Sequence, residues 1–135
     1  MEAGLDGRQH VLVVDDYDDG REMYAEFLEL AGYQVSQAKN GSEALRKADE
    51  LVPDVILMDL SLPDMDGCDV IRRLRATSRT RSIPVVVVTG HSPENLEAES
   101  LEYDGFVTKP CPPDALVAEV ARLLASRGSA ARGAH

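Results

Sequence analysis

The segment "VLVVDDYDD", residues 11–19, runs four consecutive apolar residues straight into Asp15, Asp16, Asp18 and Asp19. An apolar, β-branched run of this kind reads as a strand buried on both faces, as in parallel sheets covered by helices. Carboxylates crowded at its end raise one another's pKa and repel, so the arrangement needs a positive group among them. Outward from it, "VILMD" (55–59) and "VVVVT" (85–89) repeat the nearly uninterrupted apolar pattern, while "QVSQA" (34–38) and "GFVTK" (105–109) are weaker versions. With "VLVVD" at 11–15 they make five strands separated by segments of helical spacing. That is the pattern of five β/α units around one parallel sheet, an α/β fold.

The helices have readable ends. Asp18 or Asp19 is placed to cap the first, whose apolar positions Met23, Phe27, Leu30 and Ala31 follow the 3 and 4 spacing and which Gly32 stops. Asn40, Gly41 and Ser42 open "SEALRKADEL", which Pro53 closes off. A third helix is expected from about Cys68 to Ala76, and Pro93 suits the first turn of a fourth, "PENLEAESL". The fifth, "PDALVAEVARLLA", places Leu116, Val120, Leu123 and Leu124 on one stripe. Residues 1–9 and 127–135 have no apolar periodicity and are expected to be flexible ends, leaving one domain over residues 10–126.

The chain has 135 residues, the size of a single domain, and a net charge of −10. Such a charge repels phosphate backbones and anionic membranes, so direct nucleic-acid binding is disfavoured and protein partners are expected. No positively charged start precedes an apolar run, and no segment approaches the ~18 apolar residues of a membrane span, which points to a cytoplasmic protein without membrane insertion. Cys68 and Cys111, at no metal-ligand spacing, read as reduced packing residues.

In an open α/β sheet, ligands bind beyond the carboxyl ends of the strands. Those ends carry Asp15 and Asp16, Asp59, Thr89 and Lys109. Hard oxygen donors of this kind suit Mg²⁺, which takes one or two carboxylates, keeps waters and accepts a phosphate oxygen. A hydroxyl and an ammonium beside it are what a phosphoryl group needs, because catalysis of its transfer is mostly positioning and charge stabilisation. Asp59 stands alone at the end of a central strand and is the better nucleophile for an aspartyl phosphate; Asp15 and Asp16 are paired for holding metal.

With these residues in place, the sequence resembles the receiver domain of bacterial two-component response regulators, of the stand-alone, chemotaxis-regulator-like kind. "VVDDYDD", "VILMDLSLPDMDG", "VVVVTGH" and "GFVTKPC" stand in the family's order and near its spacing over residues 10–126. The resemblance implies a flavodoxin-like, doubly wound five-stranded parallel sheet in the order 2-1-3-4-5 with five helices. It implies that Asp59 is the phosphoacceptor; that Asp16, Asp59 and the backbone carbonyl of Ser61 bind Mg²⁺ directly, with Asp15 acting through water; and that Thr89 and Lys109 meet phosphoryl oxygens. Lys109-Pro110 is expected to be cis. Movement of Thr89 on phosphorylation would turn Phe106 inward and reshape the face made by the fourth helix, fifth strand and fifth helix. Donor partners would be a histidine kinase or histidine phosphotransfer protein, the output another protein, and the state a monomer or phosphorylation-dependent dimer.

Departures from the family pattern are Phe106 where many relatives have Tyr, a Thr89 to Lys109 interval about two residues short, and Glu102 and Tyr103 where Gly and Ala are usual. Ser61 and His91 lie where the family tunes dephosphorylation. Rival readings are a receiver cut from a longer regulator or hybrid kinase, a pseudo-receiver that only binds partners, and a Mg²⁺-dependent phosphatase of the haloacid dehalogenase type with Asp16 as nucleophile. The phosphatase leaves "VILMDLSLPDMDG" unexplained. An EF-hand-like spacing from Asp15 to Glu26 fails at Tyr17, where an oxygen ligand is required. On the main reading the protein is a signalling phosphoacceptor and not a metabolic enzyme.

Overall fold

The computed structural model describes residues 8–90 and 103–133. Strands β1 (His10–Val14), β2 (Gln34–Ala38), β3 (Val55–Asp59), β4 (Val85–Thr89) and β5 (Gly105–Thr108) alternate with helices α1 (Asp18–Leu30), α2 (Gly41–Leu51), α3 (Gly67–Ala76) and α4 (Pro113–Gly133). All strand pairs are parallel, in the order β2-β1-β3-β4-β5. The three apolar strands are buried along their whole length at the centre of the sheet. β2, with Gln34, Ser36 and Gln37, is the half-buried edge. The segment expected as a fourth helix, 93–101, lies outside the described residues, as does His91.

Alternate residues of each strand face opposite layers. Leu12, Val14, Ile56, Met58, Val85 and Val87 pack with Ala44, Ala48, Val70, Ile71 and Leu74 of α2 and α3. Val11, Val13, Val55, Leu57, Val86 and Val88 pack with Tyr24 and Leu28 of α1 and with Leu116, Val120, Leu123 and Leu124 of α4. The stripe expected on α4 is therefore the buried one.

On α1 the expected stripe is the wrong one. Met23, Phe27 and Leu30 are exposed, Leu30 by 77%, and the inward residues are Arg21, Tyr24, Ala25 and Leu28. Both sets satisfy the 3 and 4 spacing, and the sheet takes the one whose small Ala25 and long Leu28 fit beneath the helix. The α1 cap also differs. Tyr17 occupies the cap position without a side-chain bond, and Asp18 and Asp19 lie in the first turn, where they complement the helix dipole. Gly32 does end the helix, with φ of +106°. Asn40 caps α2 by accepting the Glu43 N–H at 2.8 Å, and Asp66 caps α3 by accepting the Cys68 N–H at 2.9 Å. α4 is helical as far as Gly133, beyond the residue 126 at which apolar periodicity ends. Its last residues are Ala, Arg and Ser, with Gly only at 128 and 133, and Ala and Arg are good helix formers.

At the far end of β1 from the acids, buried His10 makes a 2.7 Å hydrogen bond to Ser36 Oγ through Nε2, and its backbone N–H donates to Asp54 at 2.7 Å. Burial holds the imidazole pKa below 6.5, against the opposing pull of the Asp54 carboxylate. The unfolded chain thus binds a proton more readily than the folded one. The stability that depends on neutral His10 is intact above pH 6.5 and lost as pH falls through the lower folded-state value. Below pH 6.5 the melting temperature should fall less steeply in His10→Gln than in the wild type; equal slopes in the two proteins would refute this.

Candidate functional site

The connection reverses between β1 and β3, since β1 runs through α1 to β2 on one side and β3 continues through α3 to β4 on the other. Crevices open at such a switch point, beyond the carboxyl ends of the two strands. Asp15 and Asp16 come directly after β1 and Asp59 is the last residue of β3, so the topology itself brings the acids together. One carboxylate oxygen from each of the three lies within 4.8 Å of the others. Asp15 and Asp59 are buried and Asp16 is exposed.

Lys109, just past β5, reaches into this cluster. Its Nζ donates to Asp15 Oδ2 and to Asp59 Oδ2, both at 3.1 Å. The remaining oxygens are also engaged: Asp15 Oδ1 accepts the Tyr17 N–H at 2.9 Å and Asp59 Oδ1 accepts the Ser61 N–H at 3.0 Å. Each buried carboxylate is thus pinned from two sides. Burial raises the Asp59 pKa, helped by Asp15, against the Ser61 N–H and the Lys109 ammonium. Burial pulls the Lys109 pKa down, but Asp59 and Asp15 more than offset it and leave it above its ordinary value. The positive group among the acids is therefore partly built in. Three carboxylates against one ammonium still leave a deficit of two positive charges. All the spare lone pairs are hard oxygens, so the residues fit a divalent cation such as Mg²⁺.

Thr89 ends β4, buried and paired in register with Thr108 of β5, and its carbonyl accepts the Lys109 N–H at 2.7 Å. The Lys109–Pro110 peptide bond is cis. Phe106 is half-buried against the α2–α3 side of the sheet, with the Tyr103 ring 6.0 Å away at a tilt of 54°. Beside the acids, an open cleft of about 410 Å³ is lined by Asp15, Tyr17, Met23, Tyr24, Lys109 and Pro110, among others.

The loop from Leu60 to Asp66 is held tightly. Ser61 bridges to Asp66, the Gly67 N–H donates to the Leu60 carbonyl at 3.0 Å, and a Cβ on Gly67 would stand 2.6 Å from the Asp59 carbonyl oxygen. From the same loop, Asp64 accepts the Gly41 and Ser42 N–H groups at 2.7 and 3.0 Å, tying the loop to the start of α2. Those two amides hold the Asp64 carboxyl below the usual range.

Every candidate site residue read from the sequence thus lies at or near this edge of the sheet except His91, which is outside the described residues. Sequence reasoning missed three contributors: Asp64, Tyr103 as the neighbour of Phe106, and Arg21. Arg21 left a signal, because it opens the buried 21, 24, 25, 28 series of α1, where a charged residue must find partners.

Comparison with known proteins bears on the fold and family of this chain. The family model described as the response regulator receiver domain matches residues 11–121. The transcriptional regulatory protein PrrA of Mycobacterium tuberculosis is 40% identical over 97% of the chain and 56% of its own length. The phosphate regulon transcriptional regulatory protein PhoB of Pseudomonas aeruginosa is 37% identical over 87% of the chain and 52% of its own length. The chain therefore spans about half the length of these curated relatives. Among solved structures, the chemotaxis response regulator CheY4 of Vibrio cholerae superposes with a TM-score of 0.81 at 34% identity, covering 85% of this chain and 98% of that one. A signal receiver domain of a signal transduction histidine kinase from Syntrophus aciditrophicus gives 0.80 at 35%, covering 87% and 91%. The phosphatase reading draws no support from these likenesses.

Proposed function

The chain belongs to the family of receiver domains of two-component response regulators, and from that premise we propose that Asp59 accepts a phosphoryl group from the phosphohistidine of a kinase or phosphotransfer partner. The observation that carries this is the convergence of Asp59 with Asp15, Asp16 and Lys109 at the β1–β3 switch point. A carboxylate oxygen of Asp59 forms the new P–O bond as the P–N bond of the donor breaks, the electron pair returning to the imidazole. Asp15, Asp16, Asp59 and the Ser61 carbonyl would hold Mg²⁺, which supplies charge neutralisation for the phosphoryl oxygens. Lys109 orients Asp59 beforehand and is within reach of a phosphoryl oxygen; Thr89 supplies a hydroxyl at the neighbouring strand end.

Phosphorylation replaces the single Asp59 carboxylate charge with up to two on phosphoryl oxygens beside Thr89 and Lys109, favouring conformations that bring them closer. Phe106, packed against Tyr103, is the aromatic that registers the change, and the face around β5 and α4 presents it to a partner protein. The receiver unit is residues 10–126, acting in the cytoplasm. Its net charge of −10 makes a protein a better direct partner than DNA. The curated relatives named above are transcriptional regulators.

The test is intact mass after incubation with acetyl phosphate and Mg²⁺. One added phosphoryl group is expected, absent with a chelator and absent in Asp59→Asn. A folded wild type that gains no mass from either acetyl phosphate or a phosphorylated kinase, or a gain that persists in Asp59→Asn, overturns the assignment. Sustained turnover of a small phosphate ester would move the reading to a phosphatase.

A further inference from the structure

We infer that Arg21 is a positioning residue for the acidic cluster, setting the direction of the Asp15–Asp16 peptide and through it the divalent-cation affinity. The inference rests on the proposed reading of that cluster as a cation site. Arg21 is a buried arginine, with a side chain 10% exposed, and each arm of its guanidinium is engaged by a different element. Nη1 donates to the Asp15 carbonyl at 2.9 Å, a bond that is itself buried. Nε donates to Gln37 Oε1 of β2 at 3.0 Å, and Nη2 pairs with Asp18 of the α1 first turn at 2.7 Å.

None of these bonds reaches a carboxylate of the cluster. Their effect is on the backbone. The Asp15 carbonyl belongs to the planar unit joining Asp15 to Asp16, so fixing its oxygen fixes the plane and the departure of the Asp16 Cα. Asp15 is held otherwise, by the Tyr17 N–H and Lys109 on its side chain and by its own N–H, which donates to the Ala38 carbonyl at 3.0 Å. Asp16 is exposed and no hydrogen bond to its carboxylate is seen among the described residues. Its place within 4.8 Å of the other two acids is therefore set by its backbone, and Arg21 governs one end of that peptide. The rigid planar fork suits the task. A lysine ammonium would keep the charge but could not span three partners lying in different directions.

The experiment is calorimetric titration of Mg²⁺ into wild type, Arg21→Lys and Gln37→Ala, well below their melting temperatures, with Asp16→Ala as a control. Melting temperatures are measured separately in chelator. Arg21→Lys should bind Mg²⁺ about 10- to 100-fold more weakly, as usual for loss of a group orienting metal ligands. Its phosphorylation by acetyl phosphate should need correspondingly more Mg²⁺ and return to the wild-type rate at saturation. Gln37→Ala, which frees a single arm, should shift the affinity in the same direction by less. It also serves as the test if Arg21→Lys does not fold. A lowered melting temperature with wild-type Mg²⁺ affinity would overturn the inference and leave Arg21 a packing residue. Wild-type protein that takes up no Mg²⁺ would overturn the cation-site reading and the inference with it. Binding abolished by Asp16→Ala but untouched in the Arg21 and Gln37 variants would overturn the inference alone.

Discussion

Without divalent cation at neutral pH, Lys109→Met should be less stable to chemical denaturation than the wild type by about 3 kcal/mol. That is the low end for breaking a buried ion pair, as befits a side chain 30% exposed. The loss comes from what is left behind. Asp15 and Asp59, 5% and 8% exposed, would face each other with no cation between them. The pH dependence has a definite sign. Lys109 has a folded pKa above its ordinary 10.5, so its contribution is complete below that value and lost as pH rises through the folded one. In the variant, by contrast, Asp59 is raised further above 3.8, and its charged form opposes folding at neutral pH. Acidification should therefore narrow the gap between variant and wild type, and added Mg²⁺ should narrow it too by replacing the missing charge. A variant as stable as the wild type in chelator would show that the two carboxylates do not depend on Lys109.

Gly67→Ala sets two opposite effects against each other. Alanine is favoured over glycine by about 1 kcal/mol in a helix interior, and by less at the first helical position, which Gly67 holds. Its Cβ, however, would stand 2.6 Å from both the Asp59 carbonyl oxygen and the Leu60 Cα, and backbone atoms at the end of β3 cannot swing aside as a flexible side chain would. Overpacking of that kind costs typically 1–3 kcal/mol, and two clashes with backbone belong near the top. A net loss of roughly 2 kcal/mol is expected, read as a drop in melting temperature, together with slower uptake of phosphate because the strand end that shifts carries Asp59. A gain in stability would mean that α3 can slide away from β3 freely.

Much of the fold and site is legible in the sequence because it depends on short-range pattern. The three apolar runs could only be central strands, and Asp15, Asp16, Asp59, Thr89 and Lys109 are found by looking at the residues where each strand ends. The inward face of α1 is not legible in this way, because Met23, Phe27 and Leu30 satisfy helical spacing as well as Tyr24, Ala25 and Leu28 do. Only the sheet beneath decides between two stripes on one helix. Lys109 meets Asp15 and Asp59 over 94 and 50 residues, Asp64 meets the Gly41 amide over 23 and Arg21 meets β2 over 16. No local periodicity encodes such distances; they exist once the crossovers have closed. The charge that the clustered acids require is accordingly supplied in part from within the chain, by an ammonium from its far end.

Among the described residues the sheet also divides the interior into two cores with no residue in common, one beneath α2 and α3 and the other beneath α1 and α4. Substitutions far enough apart to share no partner act nearly independently. Sequence change can accumulate on one side without demanding compensation on the other. A lineage could thus redesign the helices facing one partner while the opposite layer, and whatever it recognises, stays as it was. The wall between the cores is the same set of strands whose ends carry the acids, so the element least free to drift is also the one that holds the chemistry.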